Sequence, residues 1–369
     1  MTATLPRFID AALALADSAI GRTNPNPAVG CVIVAADGQI LGQGATQPVG
    51  GPHAEVMALR DAQARGVSVQ GATAYVTLEP CAHQGRTGPC CDALIAAGIG
   101  RVVASLTDPN PLVAGQGFAR LRAAGVAVEV GPGADRAREQ NPGFLKRMRD
   151  GMPWVRMKIA ASLDGRTALP DGRSQWITSA AARADGHRWR ARACAVLTGS
   201  GTVLADDPGL DVRLEDEPAP RQPRRVILDS HLRTPPTART LRLPGEKLIY
   251  TAVQDPDREA ALRAAGAEII ARPQADTGRF GVDLRGVLAD LARRGCNEVH
   301  VEAGRTLNGA LLQAGLVDEC LIYLAPKLLG EGLGMAAIGL LPDLAQAPAL
   351  HFADLHRVGP DLRLIARLV

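Results

Sequence analysis

Three side chains able to hold a soft divalent metal, His53, Cys81 and Cys90, stand where the chain has to change direction. "PHAEV" places His53 at the start of a stretch with helical content, "HAEVMALRDAQARG", that ends at Gly66. "ATAYVTLEP" reads as a strand stopped by Pro80, and Cys81 follows directly. Cys90 opens a short helix, "CDALIAAGIG". A fold that uses all three as ligands must bring two helix starts and a strand end to one point. One histidine and two cysteines leave the fourth tetrahedral position open for water, which is the pattern of a catalytic rather than a structural zinc. A thiolate at a helix start is also favoured by the helix dipole.

Glu55 lies two residues after His53. Within a continuing helix such residues do not face each other, but at a helix start both can point past the end into one pocket. Zinc lowers the pKa of its bound water, so that hydroxide can attack an amidine-like carbon. A carboxylate that is not a ligand must take that proton and return it to the ring nitrogen and the leaving ammonia. Glu55 suits this work. The signature of zinc nucleobase deaminases is H-x-E followed by P-C-x-x-C. Here H-A-E and P-C are present, but the second cysteine comes nine positions after the first. A lone H-A-E arises by chance, and a lone cysteine is more often a small buried hydrophobe. The pieces together, each on its strand or helix junction, outweigh that reading. Cys91 and Cys31 are expected in the core, while His83 could contact substrate or support a ligand.

A chain of 369 residues exceeds what one core usually supports, which predicts two domains. The polar, basic stretch "NPGFLKRMRDGMP" puts the boundary near Asp150, giving domains 1–150 and 151–369. Both read as α/β. The first begins with an amphipathic helix carrying Phe8, Ile9, Leu13, Ala16 and Ile20, then a hairpin around Asp37-Gly38 and alternating strands and helices. In the second, "WVRMKIAASLDG", "RRVILDS", "EKLIYTA" and "NEVHVEAG" are expected strands, "LRGVLADLARRG" and "TLNGALLQAGL" helices, and "ARTLRLPGEKL" a surface loop. A net charge of +3, without a block of like charge, and 3% aromatic residues argue against a nucleic-acid partner. Seven cysteines, an odd number and sparse, are unlike a secreted disulfide framework, which favours the cytoplasm. Asp10 and Asp17 interrupt the apolar N-terminus against a signal peptide, and no apolar run reaches membrane-spanning length.

Taken together, "TNPNPAVGCVIV", "PHAE", "EPCAHQGRTGPC" and "DPNPLVAGQG" resemble the deaminase half of the bifunctional riboflavin-biosynthesis deaminase–reductases, whose zinc cysteines have the same wide spacing. The resemblance implies a cytidine-deaminase-like fold and, as substrate, diaminohydroxyphosphoribosylaminopyrimidine. It implies zinc ligands His53, Cys81 and Cys90, Glu55 as proton shuttle, and Asn26, His83 and Arg86 along the substrate pocket. The family commonly has a histidine where this chain has Thr46.

"KIAASLDGRTA", "SQWITS", "TGSGTVLADDPGLDVR" and "VEAGRTLNGALL" are similar to the family's reductase half, so the resemblance spans nearly the whole chain. It implies a dihydrofolate-reductase-like fold that uses NADPH to reduce the ribose of the deaminated phosphoribosylaminouracil. By family position, Ala160, Trp176, Thr202, Asp206, Ser230, Gly304, Arg305, Thr306, Leu307, Asn308, Gly309 and Ala310 would line the cofactor site. Ser174, Arg190, Leu210, Arg213 and Glu302 would hold substrate, with Arg190 and Arg213 as phosphate clamps. Lys158 and Asp164 are near-site candidates without a role, and Ala303 stands where the family often has glycine. From the residues alone, this half offers less: a strand, a glycine turn and a helix start at "VHVEAGRTLNGALL" can present amides to a phosphate. Expected partners are small phosphorylated pyrimidines and further copies of the chain as a dimer or tetramer, with neither nucleic acid nor membrane. The competing readings are a tRNA-type nucleic-acid deaminase fused to an unrelated oxidoreductase, and a zinc-stabilised regulatory module. The first lacks its P-C-x-x-C, basic groove and stacking aromatics; the second has no use for Glu55.

Overall fold

The computed structural model describes residues 4–83, 88–111, 114–214, 221–272 and 281–369, with side chains from residue 7 onward. The chain divides into two compact units, Met1–Gly151 and Met152–Val369.

The first unit is built on a five-stranded sheet. Helix α1 (Thr4–Ala19) precedes the hairpin β1 (Gly30–Val34) and β2 (Ile40–Ala45). Then α2 (Ala54–Ala64), β3 (Thr73–Val76), α3 (Cys90–Ala96), β4 (Arg101–Ala104), α4 (Gln116–Ala123) and β5 (Ala127–Val130) alternate. Strand order is β2-β1-β3-β4-β5, antiparallel at the hairpin side and parallel from β3 onward. β1 is buried along its whole length because helices cover both faces, hence its unbroken apolar run. Gly30 permits the close approach of α1: a Cβ there would meet the Ala12 carbonyl oxygen at 1.9 Å. Phe8, Ile9, Leu13 and Ala16 are buried as their spacing predicts, while Ile20 lies past the helix end and Ala19 takes the buried place.

The polar, basic stretch before the boundary is helical. After α5 (Ala134–Gln140), α6 (Pro142–Asp150) begins with proline at its first turn and packs Phe144 into the first core. Asn141 pins it by pairing its side-chain amide with both backbone groups of Ala28, each at 2.8 Å. The basic side chains form the exposed face of a docked helix, which composition alone cannot tell from a linker.

The second unit is a nine-stranded sheet. It holds β6 (Trp154–Ser162), α7 (Ala180–Arg192), β8 (Ala195–Gly199), α8 (Ser200–Asp206) and β9 (Arg224–Leu228), with the short β7 (Arg166–Ala168) after β6. There follow α9 (Arg239–Arg242), β10 (Lys247–Thr251), α10 (Pro256–Ala264), β11 (Glu268–Ala271), α11 (Leu284–Arg293), β12 (Glu298–Val301) and α12 (Arg305–Gln313). β13 (Glu319–Ala325), the short β14 (Leu333–Gly334), β15 (Leu350–Val358) and β16 (Asp361–Leu368) complete it. The order is β11-β10-β9-β8-β12-β6-β13-β16-β15, with β7 and β14 pairing apart. The strands run parallel as far as β13 and antiparallel from there to β15. The expected loop "ARTLRLPGEKL" contains α9, whose Thr240 and Leu241 are buried.

Arg156 lies inside this sheet between Glu298 at 2.7 Å and Glu319 at 2.6 Å, with 2% of its side chain exposed. Two carboxylates hold it because an unpaired guanidinium could not remain there. β15, at the sheet's edge, is exposed along nearly its entire length and carries Phe352 and Leu355 outward.

Candidate active sites

Strand directions gather the first site. β1 runs antiparallel to both neighbours, so its start lies beside the ends of β2 and β3; β4, parallel to β3, ends there too. Four connections therefore open at one edge: the turn holding Asn26, the segment from Thr46 to His53, the segment from Glu79 to Cys90, and the loop from Ser105 to Gly115. His53 is the N-cap of α2 and Glu55 lies in its first turn; Cys90 is the first residue of α3.

The structure brings His53, Cys81 and Cys90 together, with their ligand atoms all within 4.8 Å of one another. His53 Nδ1 is 3.2 Å from Cys90 Sγ and 3.6 Å from Cys81 Sγ, and the Cys90 amide donates to Cys81 Sγ at 3.4 Å. Hydrogen bonding from Cys90 holds the Cys81 thiol down, to about 4, and the same contact pushes Cys90 up. His53 is raised, chiefly by its hydrogen bond to Cys81. One imidazole and two thiols sharing protons over such short distances fit a zinc ion, which would take the protons' place. Glu55 is 4% exposed, and burial, then the nearby Cys81 charge, push its carboxyl up to about 7. Cys91 and Cys31 are buried in the first core, away from the ligand role.

Asn26 closes the turn before β1, its amide donating to the Thr23 carbonyl at 2.9 Å. Thr46 is buried, and its hydroxyl turns to the Val29 carbonyl at 3.4 Å. His83 is exposed, and lies near enough to Asp108 to oppose that carboxyl's rise to about 6, which burial drives first. Arg86 lies outside the described residues. Two carboxylates that sequence reasoning did not single out matter here. Asp108 belongs to the "DPNP" motif, and Glu79 ends an apolar strand just before Pro80, a position that could have drawn notice. Glu79 is buried and accepts four backbone amides: Asp108 at 3.1 Å, Gly115 and Gly117 at 2.9 Å each, and Phe118 at 3.3 Å.

In the second unit a cavity of about 830 Å³ is lined by Lys158, Trp176, Arg183, His187, Arg190, Arg213, Glu302 and Tyr323, among others. Four of the expected residues, Trp176, Arg190, Arg213 and Glu302, meet there. Arg190 is already paired within the cavity wall. Glu302 grips it through two bonds of 2.8 Å each, and its remaining arm donates to the Asp211 carbonyl. Opposed by burial, Arg190 and His300 still hold the Glu302 carboxyl well below its ordinary range. Arg213 is half exposed, pairs one arm with the Asp211 carboxylate, and leaves the other beside His187. Burial, then Arg190 and Arg213, push the His187 imidazole down to about 4. Burial lowers Lys158 as well.

Gly304 caps α12, and nothing lies within 4 Å of where its Cβ would be. Helix geometry leaves the amides of Arg305, Thr306 and Leu307 without carbonyl partners, a ready cradle for a phosphate of NADPH. The side chains beyond are otherwise occupied. Leu307 is in the core, Asn308 donates to the Met335 carbonyl at 3.0 Å, and Gly309 faces the backbone of Ala337, whose oxygen would stand 2.2 Å from a Cβ. Ala310 is half-buried on the same helix, and Ala303 half-buried before it. Ala160 is half-buried on β6, Thr202 and Asp206 lie on α8, Ser230 follows β9, and Ser174 precedes Trp176. Leu210 buries its side chain with φ at 51°, in a loop that begins with Asp207 at φ 40°. Asp164 is structural: its carboxylate accepts Ser162 Oγ at 2.5 Å and the amides of Leu329 and Gly330 at 3.1 and 2.8 Å.

A zinc-type cluster with a buried carboxyl on a five-stranded α/β sheet, followed by an α/β unit with a cationic cleft, defines a zinc deaminase joined to a second enzyme. Comparisons with known proteins agree. The sequence model of the cytidine and deoxycytidylate deaminase zinc-binding region matches residues 3–106, and that of the RibD C-terminal domain matches 153–364. The riboflavin biosynthesis protein RibD of Escherichia coli is 48% identical over 97% of both chains. Its counterpart in Haemophilus influenzae is 44% identical over 97% of this chain and 95% of that one. The structure of Acinetobacter baumannii RibD superposes with a TM-score of 0.90 at 42% identity over 99% of each chain. A Thermotoga maritima structure described as a diaminohydroxyphosphoribosylaminopyrimidine deaminase/5-amino-6-(5-phosphoribosylamino)uracil reductase gives 0.86 at 32%, again over 99% of each. The chain belongs to the RibD family and is a bifunctional deaminase and reductase of riboflavin biosynthesis. This reading displaces the alternative of a nucleic-acid deaminase fused to an unrelated reductase.

Proposed function

We propose that the first unit hydrolytically deaminates diaminohydroxyphosphoribosylaminopyrimidine. The second then reduces the ribose of the resulting 5-amino-6-(5-phosphoribosylamino)uracil with NADPH. The meeting of His53, Cys81 and Cys90 beside a buried carboxyl held near neutrality carries the first half of this reading. Zinc, held by those three residues, supplies an activated water at neutral pH. Glu55 takes the water's proton and returns it to the ring nitrogen and the departing ammonia; a carboxyl near 7 both accepts and gives at physiological pH. Asn26, His83 and Arg86 hold the pyrimidine and its phosphate.

In the second unit NADPH supplies a hydride, and the protein supplies position and charge. The α12 start takes a cofactor phosphate, with Ala160, Trp176, Thr202, Asp206 and Ser230 along the same site. Arg213 meets the substrate phosphate. Arg190 and Glu302 act as one neutral, rigid pair at the cavity wall, and Ser174 and Leu210 complete the substrate contacts. A cationic cavity favours a phosphorylated small molecule. Free cysteines, seven in number, suit a reducing cytoplasm, and no described helix is long and apolar enough to cross a membrane. The partner proposed for the exposed β15 is a second copy, since an antiparallel edge strand can pair with itself about a two-fold axis. Ammonia release and NADPH oxidation, followed together on the purified chain supplied with the pyrimidine, test the whole reading. Free nucleotide turned over in preference to tRNA is the expected result.

A further inference from the structure

His187 stands in the second unit's cavity in an arrangement that none of the roles above explains. Its Nδ1 lies 3.2 Å from the Arg213 backbone nitrogen, and a backbone N–H can only donate. Nδ1 is therefore the acceptor, and the proton of the neutral ring sits on Nε2. That nitrogen is 3.3 Å from Arg213 Nη2, which is also only a donor. Two N–H donors thus face one another, and among the described residues no acceptor contacts this Nε2. The neighbouring Asp211 carboxylate is engaged by the other arm of Arg213, and Glu302 by Arg190. Donors that close are comfortable only when an anion lies between them. A single oxygen at an ordinary hydrogen-bond length of about 2.9 Å from each would span the gap.

We propose that His187 Nε2 and the Arg213 guanidinium together form the oxyanion seat for a phosphate monoester, which makes His187 a specificity-determining binding residue. The proposal rests on the reductase reading above, which makes this the phosphate of the substrate. A neutral imidazole suits the role. It adds a directed donor without a second full charge beside Arg190 and Arg213, and its other nitrogen holds the loop that carries the guanidinium. The low pKa of the ring is consistent with that state.

Two near-isosteric variants of the full chain separate the donor from the tether. In His187→Asn the side-chain oxygen replaces Nδ1 and keeps the loop bond, but the Nε2 donor is gone. In His187→Gln the amide nitrogen replaces Nε2, and the tether is lost. His187→Asn is expected to raise KM for the phosphoribosylaminouracil and the inhibition constant of inorganic phosphate about tenfold, a typical loss for one hydrogen bond to a charged group. Its kcat and KM for NADPH should hold, and His187→Gln should recover most of the phosphate affinity. In the unaltered protein, inorganic phosphate should shift the His187 Nε2–H signal in an ¹⁵N-detected titration. Unchanged phosphate inhibition in His187→Asn overturns the proposal, as does a titration that leaves the ring signal in place at saturation. A loss confined to NADPH and absent with NADH would move the seat to the cofactor, and equally overturns it. Failure of the unaltered chain to oxidise NADPH would refute the reductase reading instead, leaving the phosphate titration to judge the seat.

Discussion

The two candidate sites are built in opposite ways. In the first, four residues within a span of 38 positions, from His53 to Cys90, meet at the ends of adjacent elements, and the chemistry resides in their identities. In the second, lining residues come from β6, α7 and β13 and from irregular segments between them, including Glu302 just after β12, with Lys158 and Tyr323 at the extremes. There the work lies in which charges are already spent. Arg190 and Arg213 look alike in sequence, yet one is neutralised by Glu302 while the other is half exposed and keeps an arm beside His187. A metal site declares itself through residue types, whereas an anion site declares itself through what its neighbours leave unpaired.

The contrast breaks most severely if the first site survives loss of a ligand. Cys90→Ser should remove the zinc, measured by metal content after dialysis, and take ammonia release to background. Cys91→Ser should keep both. Reduction of the deaminated uracil compound should continue in either variant.

Next in size is the proton shuttle. Glu55→Gln should retain the metal while ammonia release falls by about a hundredfold or more, the scale of a lost general acid–base group. Turnover near the parent level would remove Glu55 from the mechanism.

The second site should respond in binding rather than in turnover. Arg213→Ala is expected to weaken substrate by about 1.5–3 kcal/mol, seen as a higher KM with cofactor affinity held. Weaker NADPH with unchanged substrate affinity would invert the division of the cavity.

The smallest effect concerns pH. His187 has its folded pKa pushed down to about 4 from an ordinary 6.5. Well above 6.5 neither folded nor unfolded chain carries this proton, so titration of the ring makes no contribution to stability. As pH falls from 6.5 towards 4, the unfolded chain takes up a proton that the folded chain declines, and stability is lost. Denaturation midpoints of the parent and His187→Asn, compared across pH 4–8, should diverge only below about 6.5, with the parent losing more.

How far the sequence foretold each region follows from the same contrast. The metal cluster was legible because histidine and cysteine are chemically distinctive and stood at recognisable junctions. The docking of α6 was not, since its anchors, Phe144, Leu145, Met148 and the Asn141 clasp, are scattered among basic residues. Of the nine strands of the second sheet, β8, β11, β13, β15 and β16 are not among those expected from the sequence. β8 is a short run hidden behind the arginine-rich α7, and Glu319 and Cys320 open β13 without alternation because this interior strand is buried at nearly every position. The pairing of Arg190 with Glu302 was not legible either: a spacing of 112 positions hides it from any reading along the chain. The calls on Arg86 fall where the structure is not described.

The carboxylate of Glu79 has a consequence for motion. Amides of loop residues ordinarily exchange with solvent quickly, because loops open without disturbing the core. Asp108 and Gly115 in the loop, and Gly117 and Phe118 in the first turn of α4, are different, since one buried acceptor holds all four. Releasing all four strands the buried carboxylate, so an opening that frees the whole segment is costly. Deuterium should enter these amides slowly and in concert, with a shared opening free energy closer to that of the strands than to that of a surface turn. The wall of the deaminase pocket is thereby part of the cooperative unit that the sheet defines.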